Sequence, residues 1–143
     1  MKITVKHIGC GMNKPDKKLA NDFIKFLQKN ITLKHDVTIN FLGKKQKNMT
    51  TGSRTDNDEL NILVKGRMNR DVLRTLAHEW THEYQRVNLK REQGPDIGGK
   101  NEDEANAFAG RLIKMFEKEN PEMEQLMYEH KGINNKLLII KYL

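Results

Sequence analysis

Five consecutive residues, His78-Glu79-Trp80-Thr81-His82, constrain this chain more than any other stretch. They match the pattern H-E-x-x-H, and that pattern carries chemistry only on a helix. There, a four-residue step leaves two imidazoles about 40° apart and about 6 Å along the axis, so both can reach one metal ion. Glu79 lies about 100° round from His78, badly placed to be a ligand beside both rings but well placed to meet a metal-bound water. On the same helical wheel Leu73, Leu76, Ala77, Trp80, Tyr84 and Val87 gather on one side, and Thr75, His78, Glu79, His82 and Arg86 on the other. The histidines leave the core stripe clean, and Trp80 reads as the core anchor beneath them. Two ordinary histidines on the surface of an amphipathic helix would give the same wheel, so the remaining ligands decide.

A catalytic zinc takes three protein ligands and keeps a fourth position open. The downstream extension H-x-x-G-x-x-H is absent, with Gln85 and Leu89 in that stretch, and the next histidine is His130. A carboxylate is the alternative, and Asn101-Glu102-Asp103-Glu104 offers Glu102 and Glu104 about one helix further on. Glu102 shares its helical face with Ala105, Asn106, Ala109, Leu112, Ile113 and Phe116, whereas Glu104 points away with Arg111 and Lys118. A carboxylate at the end of an apolar face needs a partner, and a metal is one. Asn101 with Glu104 three residues later also fits a capping box, which accounts for Glu104 without a metal. The wheel therefore favours Glu102 over Glu104 as third ligand, with Asn106, one turn on, placed to hydrogen-bond a ligand side chain.

The rest of the chain sets the scaffold. Its 143 residues suit one domain, 1–143, with a core large enough to need no disulfides. A single cysteine, Cys10, excludes an internal disulfide and a cysteine-rich zinc cluster, and reads as a small buried thiol in a reduced, cytoplasmic compartment. No apolar run is long enough for a membrane helix, and the first residues lack a signal peptide's apolar stretch. Residues 3–8 alternate as a short strand. Pro15-Asp16 opens a helix with a stripe of Leu19, Phe23, Phe26 and Leu27. Strands follow at 36–42 and 60–64, with a polar loop over 43–58 between them. Asn69 or Asp71 caps a long helix running to about Leu89, Gly94-Pro95 and Gly98-Gly99 mark a loop, Asn101 caps a further helix, and Pro121 opens a shorter one. The apolar tail 136–143 is expected to dock on the domain or on a partner. The expected fold is α+β: a small antiparallel sheet with helices on one face, in the order β-α-β-β-α-α-α.

H-E-x-x-H followed by E-x-x-A-N-x-F-A resembles the minimal gluzincin metallopeptidases of the ImmA/IrrE type, small zinc peptidases of bacteria and their mobile elements. The likeness rests on His78, Glu79, His82, Glu102, Ala105, Asn106, Phe108 and Ala109, and spans roughly residues 60–116. Thr81 stands where the family often has glycine. A SprT-like relative would normally bring a histidine as third ligand. The resemblance implies a zincin-like fold, one Zn²⁺ per chain held by His78, His82 and Glu102, and peptide hydrolysis with Glu79 as general base. It further implies a protein or peptide substrate, with a regulator as the kind expected, and a strand at 60–64 serving as the sheet edge beside the substrate. An oxyanion donor in such folds often follows the third ligand, which makes Tyr128 and His130 the candidates; Tyr84 lies some 160° from His82 and is poorly placed. The lysine and asparagine richness fits a bacterial or phage source.

Charge supports a second reading from a different class. Residues 1–50 carry 11 basic and 3 acidic side chains, while residues 51–143 carry 15 and 16. A catalytically idle module of the same fold that binds nucleic acid or a protein partner through this basic third is the alternative, although no nucleic-acid motif accompanies the lysines.

Overall fold

A computed structural model of the chain describes residues 1–92 and 99–129. The elements are β1 (Ile3–Ile8), α1 (Lys14–Asn30), β2 (Val37–Leu42), β3 (Gly52–Arg54), β4 (Glu59–Leu63), α2 (Asn69–Glu83), a π-turn over Tyr84–Asn88, α3 (Lys100–Glu119), a 3₁₀ turn over Pro121–Met123 and the short α4 (Glu124–Met127). The class is α+β, as expected. The Gly94-Pro95 turn, His130 and the apolar tail lie outside the described residues.

The sheet corrects the expectation of an antiparallel arrangement. It is mixed, four-stranded, in the order β1-β2-β4-β3. β1 and β2 are parallel, as are β2 and β4, and only β3 and β4 are antiparallel. The reason is the connection. α1 is 17 residues long and carries the chain back to the end from which β1 started, so β2 runs the same way as β1. The segment 43–58, expected to be loop throughout, contains β3. That strand leaves β2, runs back along the sheet, and turns at Thr55–Asp58 so that β4 slots between β2 and β3. Asp58 takes a left-handed φ of 59° in this turn, a conformation that aspartate tolerates better than most side chains. β4 is consequently an interior strand, and β3 is the free edge on that side.

Local signals placed the helices well. Asn13 caps α1 and Asp16 closes the capping box by accepting from the Asn13 backbone. Leu19, Phe23, Phe26 and Leu27 are all buried, against Val37, Ile39 and Phe41 of β2 and Leu60 and Ile62 of β4 in one core. Phe116 of α3 meets Phe23 edge-on and stacks on Phe26, which fastens α3 to α1. Met68 caps α2 without a side-chain bond. Asn69 is instead drawn inward, where its amide donates to Asp16 and to the Leu126 carbonyl, tying the starts of α1 and α2 to α4. On α2, Leu73, Leu76, Ala77 and Trp80 are fully buried, and the Trp80 indole donates to the Ile31 carbonyl at 2.8 Å. That bond fixes the rotation of α2, and with it the direction in which His78 and His82 point. Cys10 is buried, as expected, beside His7. No helix among the described residues is long and apolar enough to cross a membrane.

Candidate metal centre

The face of α2 opposite its core stripe does not meet open solvent. α3 crosses it and delivers Glu102 from its first turn, where a carboxylate also complements the positive end of the helix. His78 Nε2 and His82 Nε2 are 3.1 Å apart, Glu102 Oε2 is 2.8 Å from His82 Nε2, and Glu102 Oε1 is 3.2 Å from His78 Nε2. Bonds of about 2.05 Å to a tetrahedral zinc require ligand atoms about 3.3 Å apart. Each of the three residues places one ligand atom within 4.8 Å of the other two, close enough to share one ion, and the donor set, two imidazoles and a carboxylate, suits zinc.

The protonation of one ring can be read from its neighbour. His82 Nδ1 lies 2.9 Å from the Gln85 side-chain oxygen, and the Gln85 amide nitrogen donates to the Asn101 carbonyl and to Glu104. Because that nitrogen is already a donor, the oxygen must accept, so Nδ1 carries the proton. Nε2 is then the ring atom left to bind a metal, and without one it hydrogen-bonds the Glu102 carboxylate 2.8 Å away. Gln85 is completely buried. It does what was expected of Asn106, which is exposed and lines the wall of the cleft. The signal for Gln85 was its i+3 spacing from His82.

Glu104 also differs from expectation. Gly99 is the N-cap of α3, so Asn101 and Glu104 lie inside the helix and form no capping box. Glu104 instead accepts from Gln85 and, at 2.8 Å, from Arg91. The Gln85 amide foremost, with Arg91 behind it, holds its carboxyl below the usual glutamate range. The two acids lie apart: Glu102 joins the histidines, and Glu104 fastens α3 to the chain leaving α2.

Glu79 is buried and lines a cleft of about 380 Å³ with His78, Glu102 and residues of the edge strand. β3 comes this close because residue 52 is glycine. A Cβ there would stand 2.6 Å from Thr75 Cγ2 and 3.1 Å from Glu79 Cγ. Tyr128 is half-exposed and lies elsewhere. Glu129, its neighbour, accepts from the Asn69 backbone at the opening of α2, nine residues or about 13 Å of helix before His78.

A second cluster lies immediately beyond His82. Glu83 is fully buried and accepts from His35 at 2.7 Å, from Arg86 at 3.3 Å and from Arg54 of β3 at 3.4 Å, and Arg86 also binds Asp58. Burial above all raises the Glu83 carboxyl, helped by its hydrogen bond to Asp58. Burial would raise Asp58 as well, but the Glu83 hydrogen bond and the charges of His35 and Arg86 outweigh it and hold Asp58 low. His35, Asp58 and Glu83 have metal-ligand spacing, but the two guanidiniums already supply the positive charge a metal would bring. The cluster ties the β3–β4 turn to α2 and so fixes one wall of the cleft. His35 belongs to it as well.

The chain matches no protein-family model, no curated protein and no solved structure.

Proposed function

We propose that the protein is a zinc-dependent metalloendopeptidase with a zincin-like fold, related to the gluzincins of the ImmA/IrrE type. The observation that carries the reading is the convergence of His78, His82 and Glu102 beside the buried carboxylate of Glu79, in one cleft next to a free strand edge. A zinc ion held by these three residues would supply a Lewis acid that polarises the scissile carbonyl and makes a water acidic near neutral pH. Glu79 takes the proton of the attacking water and passes it to the leaving amine. Gln85 keeps His82 in the tautomer that can bind metal. The outer edge of β3, rather than of the 60–64 strand, offers backbone groups to an extended peptide.

The nucleic-acid alternative gains no support of the same kind. All 11 lysines of residues 1–50 are exposed, but they are spread over β1, α1 and the loops.

Elemental analysis and a protease assay test the reading together. About one zinc per chain is expected, lost in Glu102→Ala and kept in Glu104→Ala. Cleavage of a denatured protein should require zinc and vanish in Glu79→Gln while that variant still holds metal. A Glu79→Gln protein that cuts as well as the wild type would remove Glu79 as base, and a wild type that takes up no zinc would remove the whole reading.

A further inference from the structure

The cleft that holds Glu79 continues along α2, away from the histidines, toward the start of the helix. Asp71, Arg74, Thr75 and His78 fall within two turns of α2 and line the same wall, with Arg67 behind them in the turn before α2. The two arginines differ from the other cations near the site. Arg54, Arg86 and Arg91 each pair with a carboxylate. Among the described residues, neither Arg67 nor Arg74 has a carboxylate within ion-pair distance.

Arg67 is half-buried, and its guanidinium donates to the Leu63 carbonyl at 2.7 Å, the Asp71 carbonyl at 3.1 Å and the Thr75 hydroxyl at 2.8 Å. Its partners are neutral, so they fix the guanidinium without cancelling its charge. Burial, the larger influence on it, disfavours that charge, against a weaker pull from Asp71. Arg74 is exposed on the cleft wall and is the more available of the two. Among the described residues, and with a divalent ion in the centre, two guanidiniums and a dication face the carboxylates of Asp71, Glu79 and Glu102, a sum of one positive charge.

We propose that Arg74, backed by Arg67, is a subsite for a side-chain carboxylate of the substrate, so that the protein cuts beside aspartate or glutamate. The distance fits. Arg74 precedes His78 by one helical turn, about 6 Å. An extended peptide advances about 3.3 Å per residue, so the group that Arg74 binds belongs to a residue within about two of the scissile bond. A single uncompensated charge in the cleft suits a singly charged carboxylate. A guanidinium also offers paired donors to both of its oxygens, which a lysine could not match.

The inference rests on the hydrolase reading for its placement in a substrate, and two measurements keep the two apart. The first digests a proteome-derived peptide library with the zinc-loaded full chain and reads the cut sites by mass spectrometry. Aspartate and glutamate should be enriched at one position within two residues of the cut. Arg74→Gln should abolish the enrichment and Arg74→Glu should replace it with lysine and arginine. The second needs no turnover. Zinc-loaded Glu79→Gln is titrated with fluorescein-labelled, C-terminally amidated nonapeptides carrying a central aspartate or asparagine, and anisotropy reports affinity. The aspartate peptide should bind about tenfold tighter, as expected for one charge-assisted contact, and the difference should disappear when Arg74→Gln is added.

Cleavage without acidic preference would overturn the subsite and leave the hydrolase standing. An Arg74-dependent preference in binding, with no cleavage by the wild type, would do the reverse. A preference seen only with free-acid peptides would assign the carboxylate to the chain end and refute the side-chain subsite.

Discussion

Replacing Gln85 with methionine separates the metal centre from its support. The side chain keeps its length and approximate volume but loses all three hydrogen bonds. The His82 Nδ1–H loses its partner, while the Asn101 carbonyl keeps its bond within α3 and Glu104 retains Arg91. A buried group left without a partner costs about 1–3 kcal/mol, so the metal-free variant should lose about 1–3 kcal/mol of folding stability. Loss of an outer partner of a metal-binding histidine typically weakens metal affinity about 10–100-fold, or about 1.4–2.8 kcal/mol. Gln85→Glu divides the two roles. Its carboxylate still accepts from His82, but it loses the amide donors and stands against Glu104. It should therefore hold zinc better than Gln85→Met while folding less stably than the wild type. Zinc affinity is read by competition with a chromophoric chelator, stability by urea unfolding of the metal-free protein, and the His82 tautomer by nitrogen-15 NMR of the imidazole. A folded Gln85→Met that binds zinc as tightly as the wild type, or a zinc-loaded wild-type His82 without a proton on Nδ1, would refute the reasoning.

Two further perturbations probe the cleft and the far end of the sheet. Gly52→Ala pushes a methyl group into Thr75 Cγ2 and should cost about 1–3 kcal/mol in thermal or urea unfolding. Adding Thr75→Ser, which removes that methyl but keeps the hydroxyl bonded to Arg67, should recover most of the loss, and no recovery would mean that the strain lies elsewhere. At β1, burial foremost, with Lys17 second, lowers the His7 imidazole below its ordinary value of 6.5. The unfolded chain then binds a proton that the folded chain resists. Stability is full above pH 6.5 and falls as pH drops through that value toward the lower folded one. Melting temperatures at pH 7.5 and 5.5 should therefore differ more for the wild type than for His7→Gln, and equal differences would exclude His7 as a source.

What could be read from sequence followed the helical period. Rotation by 100° per residue grouped His78 with His82, set Glu79 aside, and chose Glu102 over Glu104, because one wheel governs the whole length of a helix. Strand direction has no such marker. The residues of β1, β2 and β4 alternate identically in parallel and antiparallel sheets, and only the intervening α1 separates the two. β3 escaped notice because Gly52-Ser53-Arg54 is too short to alternate and has no apolar side chain. Its signal lay in the Asp-Asn-Asp run that follows and turns the chain into β4. Gln85 and Glu83 were opaque for another reason. A polar residue just past a catalytic motif looks like a solvent-facing neighbour until a second element, here α3 or the β3–β4 turn, arrives to bury it.

The π-turn at Tyr84–Asn88 bears on how this chain can change in length. A wide turn holds one residue more than an α-helical turn would in the same place. Deleting a residue there lets the helix continue in ordinary register, and His78, Glu79 and His82, all upstream, keep their positions. Because the wide turn alone absorbs the extra residue, the chain beyond it also stays in place, and Arg91 remains beside Glu104. A single deletion at this point would therefore spare both the motif and the approach of Glu102, whereas the same deletion inside Asn69–Glu83 would turn the residues after it by about 100° and break that approach.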